Sequence, residues 1–241
     1  MPHDIDQTTG TAAVFAAGDP PWHGLGRNVA EAVDSLQAIK LAGLNWTVEQ
    51  WPVTAVTPDC RGTIPARGFV ANVRTDTRSV LGVVSRKYQP FQNDEALAFC
   101  DAVVGTRRAK YETAGALRGG RRVWMLLKMP DDVIRAGNDD AIEPYLLVYN
   151  SFDGSSCLRA LLTSVRVVCQ NTLNLALHRG RGEGITIPHR GDLQSRVRDA
   201  QSTLGLVRER LDDFAQEIDV LRQVSMHNGR LREYFDEVLP P

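Results

Sequence analysis

The residues best placed to do chemistry are the cations of segment 106–128. Arg107, Arg108, Lys110, Arg118, Arg121, Arg122 and Lys128 stand there against a single acid, Glu112. In an extended strand alternate residues share a face, which puts Arg122, Trp124 and Lys128 in one row. Arg108 and Lys110 share a face on the preceding strand. Cations in such a row neutralise phosphates, and a ring among them, Trp124 or Tyr111, offers a stacking platform for bases. The same charges also suit a solvated edge hairpin that uses Arg and Lys to block edge-to-edge pairing. Taken alone, Trp124 reads as core.

A second pair of cations lies within the stretch from Glu143 to Leu177. Two apolar, β-branched and aromatic-rich runs flank Asn150-Ser151-Phe152-Asp153-Gly154-Ser155, the pattern of a β-hairpin. Arg159 and Arg166 sit in the second run, where a charge needs either a partner or a wet surface. Seven positions apart, they face opposite sides of an unbroken strand. Either the strand bends between them or one binds phosphate while the other meets an internal carboxylate such as Asp153. Arg166 reads as the structural pair and Arg159 as the phosphate ligand, and both join the candidate nucleic-acid contacts. Asn150, Asn171 and Asn174 are donors for phosphates or bases, although Asn150 and Asn171 equally suit turns and caps.

Nothing else in the chain spells a reaction. Trp22-His23-Gly24 places no acid or nucleophile beside its His, and His178 and His189 lack metal-ligand spacing. The zinc-protease, phosphate-loop and nucleophile-elbow signatures are absent. Paired carboxylates at Asp131-Asp132, Asp139-Asp140 and Asp212-Asp213 read as solvated. No catalytic residue, metal or cofactor is assigned.

The elements that must position these residues follow from periodicity. Residues 1–27, rich in Gly, Pro, Thr and Asp, read as an extended arm ending in Pro20-Pro21-Trp22, with Trp22 pinning it to the body. A helix is predicted at 28–42 with Gly43 as its stop. Strands follow at Trp46–Val56, Gly68–Arg74 and Ser79–Ser85, the last two joined through Thr75-Asp76-Thr77. Asn93 is the predicted N-cap of a helix over 94–104. Arg108–Ala114 and Arg121–Met129 form the basic hairpin, turning at Leu117-Arg118-Gly119-Gly120. The alternation predicts an α+β core at 28–187, an antiparallel sheet of hairpins backed by helices. From 188 to 241 the pattern changes. Leu193, Val197, Ala200, Leu204, Val207, Leu211, Phe214, Ile218 and Leu221 keep a heptad seam, followed by a shorter amphipathic piece at Leu231–Val238. This helical C-terminal part suits either self-association, which we favour, or packing onto the core.

Composition sets outer limits. The 241 residues carry 43% apolar and 24% charged side chains with a net charge of −1, so overall charge announces no nucleic-acid partner. The four cysteines show no paired spacing and read as reduced. The start lacks a secretory signal, and no apolar run is long enough to cross a bilayer. A cytoplasmic protein of a bacterial host cell is expected, without a membrane partner.

Three motifs carry a resemblance: Pro21-Trp22-His23-Gly24-Leu25-Gly26, Tyr88-Gln89-Pro90-Phe91-Gln92-Asn93, and Val165-Arg166-Val167-Val168-Cys169-Gln170-Asn171-Thr172-Leu173. In this order they resemble the phage/plasmid-like proteins grouped as domain of unknown function number 932, over residues 20–225. The resemblance implies a source in phages, prophages or plasmids and assigns no catalytic residue. In outline, the hairpins, basic strand pair and helical C-terminus are also similar to the plan of phage single-strand annealing proteins. The reading expected from sequence is therefore a single-stranded DNA-binding, annealing and recombination protein. DNA is favoured over RNA, and the protein assembles as a homo-oligomer. The alternatives are an interaction or regulatory protein acting through its C-terminal helices and, third, an enzyme.

Overall fold

The computed structural model describes residues 3–104, 110–128, 134–136, 140–179 and 184–192, with isolated helical positions at 195, 198, 220, 228–230 and 232–233. The chain is built on hairpins, as turn chemistry predicts. Its strands are β1 (Val14–Ala17), β2 (Arg27–Val29), β3 (Val48–Val56), β4 (Thr63–Arg74), β5 (Val80–Ser85) and β6 (Lys110–Leu117). They continue with β7 (Arg122–Lys128), β8 (Ile134–Ala136), β9 (Asp140–Ile142), β10 (Tyr145–Ser151), β11 (Leu158–Thr163) and β12 (Ile185–Ile187). Helices are α1 (Ser35–Leu41), α2 (Asn93–Val104) and α3 (Gln170–Arg179), with a 3-10 turn at Arg118–Gly120.

A seven-stranded sheet runs β12-β11-β10-β7-β6-β1-β2, and a separate three-stranded sheet runs β3-β4-β5. All pairings are antiparallel except β1 with β2. The central strands of the large sheet are covered on both faces. Val123, Met125 and Leu127 of β7 enter one core with Leu146 and Val148, packed with α1, α2 and Trp46. Trp124 and Leu126 enter the other with Leu147, Tyr149 and Leu173 of α3. A strand buried on both sides reads as a continuous apolar run with no polar stripe.

Close approach is bought by two glycines. A Cβ on Gly115 would lie 2.4 Å from Trp124 Cη2 and 2.7 Å from the Ala13 carbonyl, so Gly115 makes room for the indole across β6–β7. A Cβ on Gly82 would lie 2.6 Å from Asp153 Cα, where the small sheet abuts the β10–β11 turn. Asparagine and tyrosine side chains lock that junction. Asn72 Nδ2 donates to the Phe152 carbonyl (2.7 Å), Asn150 Nδ2 to Phe91 (2.8 Å) and Tyr88 Oη to Ser151 (2.5 Å).

Several expectations change. The segment read as an arm supplies β1, buried along its whole length between β6 and β2. Its four residues are short and apolar, and the Gly/Pro-rich flanks concealed them. Trp22 is 65% exposed and meets the neighbouring His23 ring edge-on (5.4 Å between ring centres). His23 does the tethering: Nε2 donates to the Val168 carbonyl (3.0 Å) and Nδ1 accepts from Leu25 N–H (3.1 Å). The first helix starts later than predicted, capped by Asp34, which accepts from Gln37 N–H. Gly43, at φ 64°, ends it as foreseen. Its N–H returns to Lys40 and that of Leu44 to Ile39, a left-handed C-terminal closure suited to glycine. Asn93 opens α2, but its side chain holds the Leu44 and Trp46 carbonyls. Gln92 N–H is taken instead by Glu95, three residues on. The heptad seam residues, and Leu231, Tyr234, Phe235 and Val238 of the second piece, lie outside the described residues.

Candidate functional site

The basic hairpin forms where it was expected, but its charges are largely spoken for. Arg118 Nε donates to Asp4 (3.0 Å), and Lys128 Nζ to Glu143 (2.5 Å). The Lys128 bond, with further help from Tyr145, holds the Glu143 carboxyl below its ordinary range despite partial burial. Arg122 reaches Gln170 and Ser155 through its terminal nitrogens, with Asp153 at 4.0 Å. Lys110 and Arg121 are exposed. Arg107 and Arg108 lie outside the described residues.

Neither aromatic of the hairpin is a platform. Trp124 is fully buried, and its indole N–H donates to Thr113 Oγ1 (3.1 Å). Tyr111 is also fully buried; its hydroxyl donates to Asp101 (2.8 Å) and also lies near the Leu97 carbonyl, and burial pushes its pKa up. Arg122 and Lys128 escape because they end a seven-residue strand. Residues between them lie under helices.

Arg166 is a structural cation, as its apolar surroundings suggested. Its Nε donates to Glu112 (2.8 Å), while Nη1 and Nη2 donate to the Asp19 and Ala17 carbonyls. It thereby fastens the end of β1. Arg159 is half-buried on β11, opposite Tyr149 and Thr186, and is not without a partner. Asn174 accepts from Gln170 within α3 (2.7 Å).

An exposed face stands elsewhere. Register places Trp51, Ala71 and Val83 side by side, with Phe69 beside Ser85 in the next row. Alternation puts all five on one face of the small sheet. The opposite face, with Asn72 and Gly82, meets the body. Trp51 is 42% exposed, and Phe69 and Val83 are each 54% exposed. Glu49 holds Trp51 by its indole N–H (2.9 Å). Arg67, two residues before Phe69, is exposed, as are Arg86 and Lys87 beyond the end of β5. From 48 to 87 the chain carries six cations (Arg61, Arg67, Arg74, Arg78, Arg86, Lys87) and three acids (Glu49, Asp59, Asp76). Arg74 is internal: its guanidinium binds Asp6 (2.5 Å) and Asp76 (2.7 Å) and lies over Trp46 at 4.5 Å. Sequence reading missed this face because Trp51 alternates like any strand residue. The signal available was an aromatic on two neighbouring strands with Arg beside it.

Beside the face, a cleft of about 540 Å³ opens between β5 and the turn after β10. His189 lies on its wall, stacked on Tyr88 (4.6 Å between ring centres, 21° between planes). Burial holds the imidazole pKa below its ordinary value, against a smaller opposing pull from its bond to the Gln89 carbonyl.

Fold and surface together define an α+β protein that displays an open, aromatic-bearing sheet face next to a cleft. The family described as domain of unknown function (DUF932) matches residues 80–241, and the chain belongs to it. Neither a curated protein nor a solved structure matches the chain. Among the described residues, no helix is long and apolar enough to cross a membrane.

Proposed function

We propose that this chain binds single-stranded nucleic acid, DNA foremost, on the open face of the β3–β4–β5 sheet. The observation that carries the reading is the exposure of Trp51 and Phe69 on neighbouring strands, with exposed Arg67 two residues before Phe69 on the same strand. Base stacking on such rings contributes about 1–3 kcal/mol per base and tolerates any sequence, while arginines neutralise phosphates. This reading prefers a sheet whose rings face solvent to the β6–β7 hairpin, where Trp124 and Tyr111 are buried and Arg118 and Lys128 hold carboxylates. In the setting of a phage or plasmid, a protein that keeps one strand extended with its base edges free promotes annealing without a cofactor. The heptad pattern of Leu193–Leu221 supports self-association along such a strand.

Fluorescence anisotropy with a labelled oligo(dT) of about 30 nucleotides, at two salt concentrations, tests the proposal. Wild-type binding should weaken with salt, and Trp51→Ala and Phe69→Ala should each weaken it about thirtyfold, the middle of the stacking range. Wild-type affinity in both variants, or no binding at low salt, overturns the reading.

A further inference from the structure

The cleft beside the exposed face lies where two sheets end. β5 is an outer strand of the small sheet and β12 an outer strand of the large one. The residues following each, Lys87 and Arg190, contribute cations to the cleft. Its volume of about 540 Å³ lies within the range that holds a small organic ligand.

Its charge is less balanced than its composition suggests. Asp153 is the one carboxylate on the wall, and it is already engaged. Its Oδ1 accepts the Ser155 N–H (2.8 Å), and its Oδ2 lies 4.0 Å from Arg122. Lys87 and Arg190 are both exposed and appear in no ion pair among the described residues. Two cations therefore line the cleft.

His189 adds a second requirement. It is 6% exposed, and its Nδ1 donates to the Gln89 carbonyl at 3.0 Å. That bond leaves Nε2 as an acceptor, and the atom is buried without a hydrogen-bond partner. A buried acceptor left unpaired is costly, and the residue that carries this one lines the cleft, where a ligand could bring a donor. Tyr88, stacked on His189, lines the same cleft. An anion, a donor and a flat ring occur together in a nucleotide. Val83 belongs both to the exposed face and to the cleft, so a strand crossing the face leads there.

We propose that the cleft is an end pocket, taking the phosphorylated terminal nucleotide of a strand laid on the β3–β4–β5 face. This rests on the single-strand reading above. Lys87 and Arg190 hold the terminal phosphate monoester, and His189 accepts a hydrogen bond from the base or sugar of the same nucleotide.

The test compares labelled oligo(dT) bearing a 5′-phosphate, a 3′-phosphate or hydroxyls at both ends, with thymidine monophosphate as a free competitor. One phosphorylated strand should bind about tenfold tighter than the unphosphorylated one, as a hydrogen bond to a charged group warrants. Arg190→Ala should erase that difference, and Lys87→Ala should at least halve it. Equal affinity for all three strands overturns the end pocket while leaving the sheet face standing. Monophosphate that competes as well as the phosphorylated strand, mole for mole, overturns the strand-end assignment in favour of free nucleotides. Absence of binding by every strand removes the sheet-face reading, and the end pocket with it.

Discussion

Removing the Asp6 carboxylate should destabilise the protein far more than removing any surface acid. Asp6 and Arg74 meet at 2.5 Å with 1% of each side chain exposed. Asp6 lies in the N-terminal segment, and Arg74 ends β4, so the pair joins that segment to the small sheet. Breaking a buried pair by deleting one partner costs about 3–5 kcal/mol, because the other charge is left uncompensated. Arg74 keeps Asp76 at 2.7 Å and the Trp46 ring at 4.5 Å, which places Asp6→Ala at the low end, about 3 kcal/mol. For a chain of this length that corresponds to a melting temperature lower by roughly 6–12 °C. Asp6→Asn keeps the shape and one oxygen for the Thr8 N–H but drops the charge, a loss of about 1.5–3 kcal/mol. The control is Asp4→Ala, whose partner Arg118 is 45% exposed and which should cost under about 1 kcal/mol. The pH dependence has a definite sign. Burial alone would raise the Asp6 carboxyl, but hydrogen bonds from Thr8 and Arg74 outweigh it and hold it below 3.8. Its stabilisation is therefore present above pH 3.8 and lost as pH falls through the depressed folded value. Urea unfolding of wild type, Asp6→Ala and Asp4→Ala measures all of this. Equal midpoints for the two variants would refute the argument that the N-terminal segment is fastened by this pair.

Two further outcomes follow from the packing. Gly115→Ala should destabilise by about 1–3 kcal/mol, because its Cβ would lie 2.4 Å from the Trp124 ring; thermal unfolding with Trp emission as the signal checks it. Folding keeps His189 less protonated than the unfolded chain, whose imidazole titrates near 6.5, so its contribution to stability should fall as pH drops below that value. His189→Gln should flatten the unfolding curve between pH 7 and about 5, read as the difference from wild type.

The hairpins were legible because turn residues and β-branched runs are local signals. So was the end of α1 at Gly43, a position whose positive φ favours glycine. What sequence could not supply was burial. Arg122, Trp124 and Lys128 do alternate as a strand requires, yet the helix-covered middle of β7 differs from its two ends. Alternation alone cannot separate them. β1 was hidden because four apolar residues between turn formers are too few to show a period. The Arg166–Glu112 and Tyr88–His189 contacts join residues 54 and about a hundred positions apart, beyond any local pattern. The family itself was legible and matches residues 80–241, which leaves the motif Pro21–Gly26 ahead of the match, and it gave no residue a role.

The most direct measurement is ultraviolet crosslinking of the full chain to a photoreactive single strand, followed by mass spectrometry of the joined peptides. Crosslinks should fall on peptides holding Trp51 and Phe69 and be lost with unlabelled competitor. Crosslinks confined to Lys110–Lys128, or to residues beyond 192, would contradict the assignment of the site to the β3–β4–β5 face.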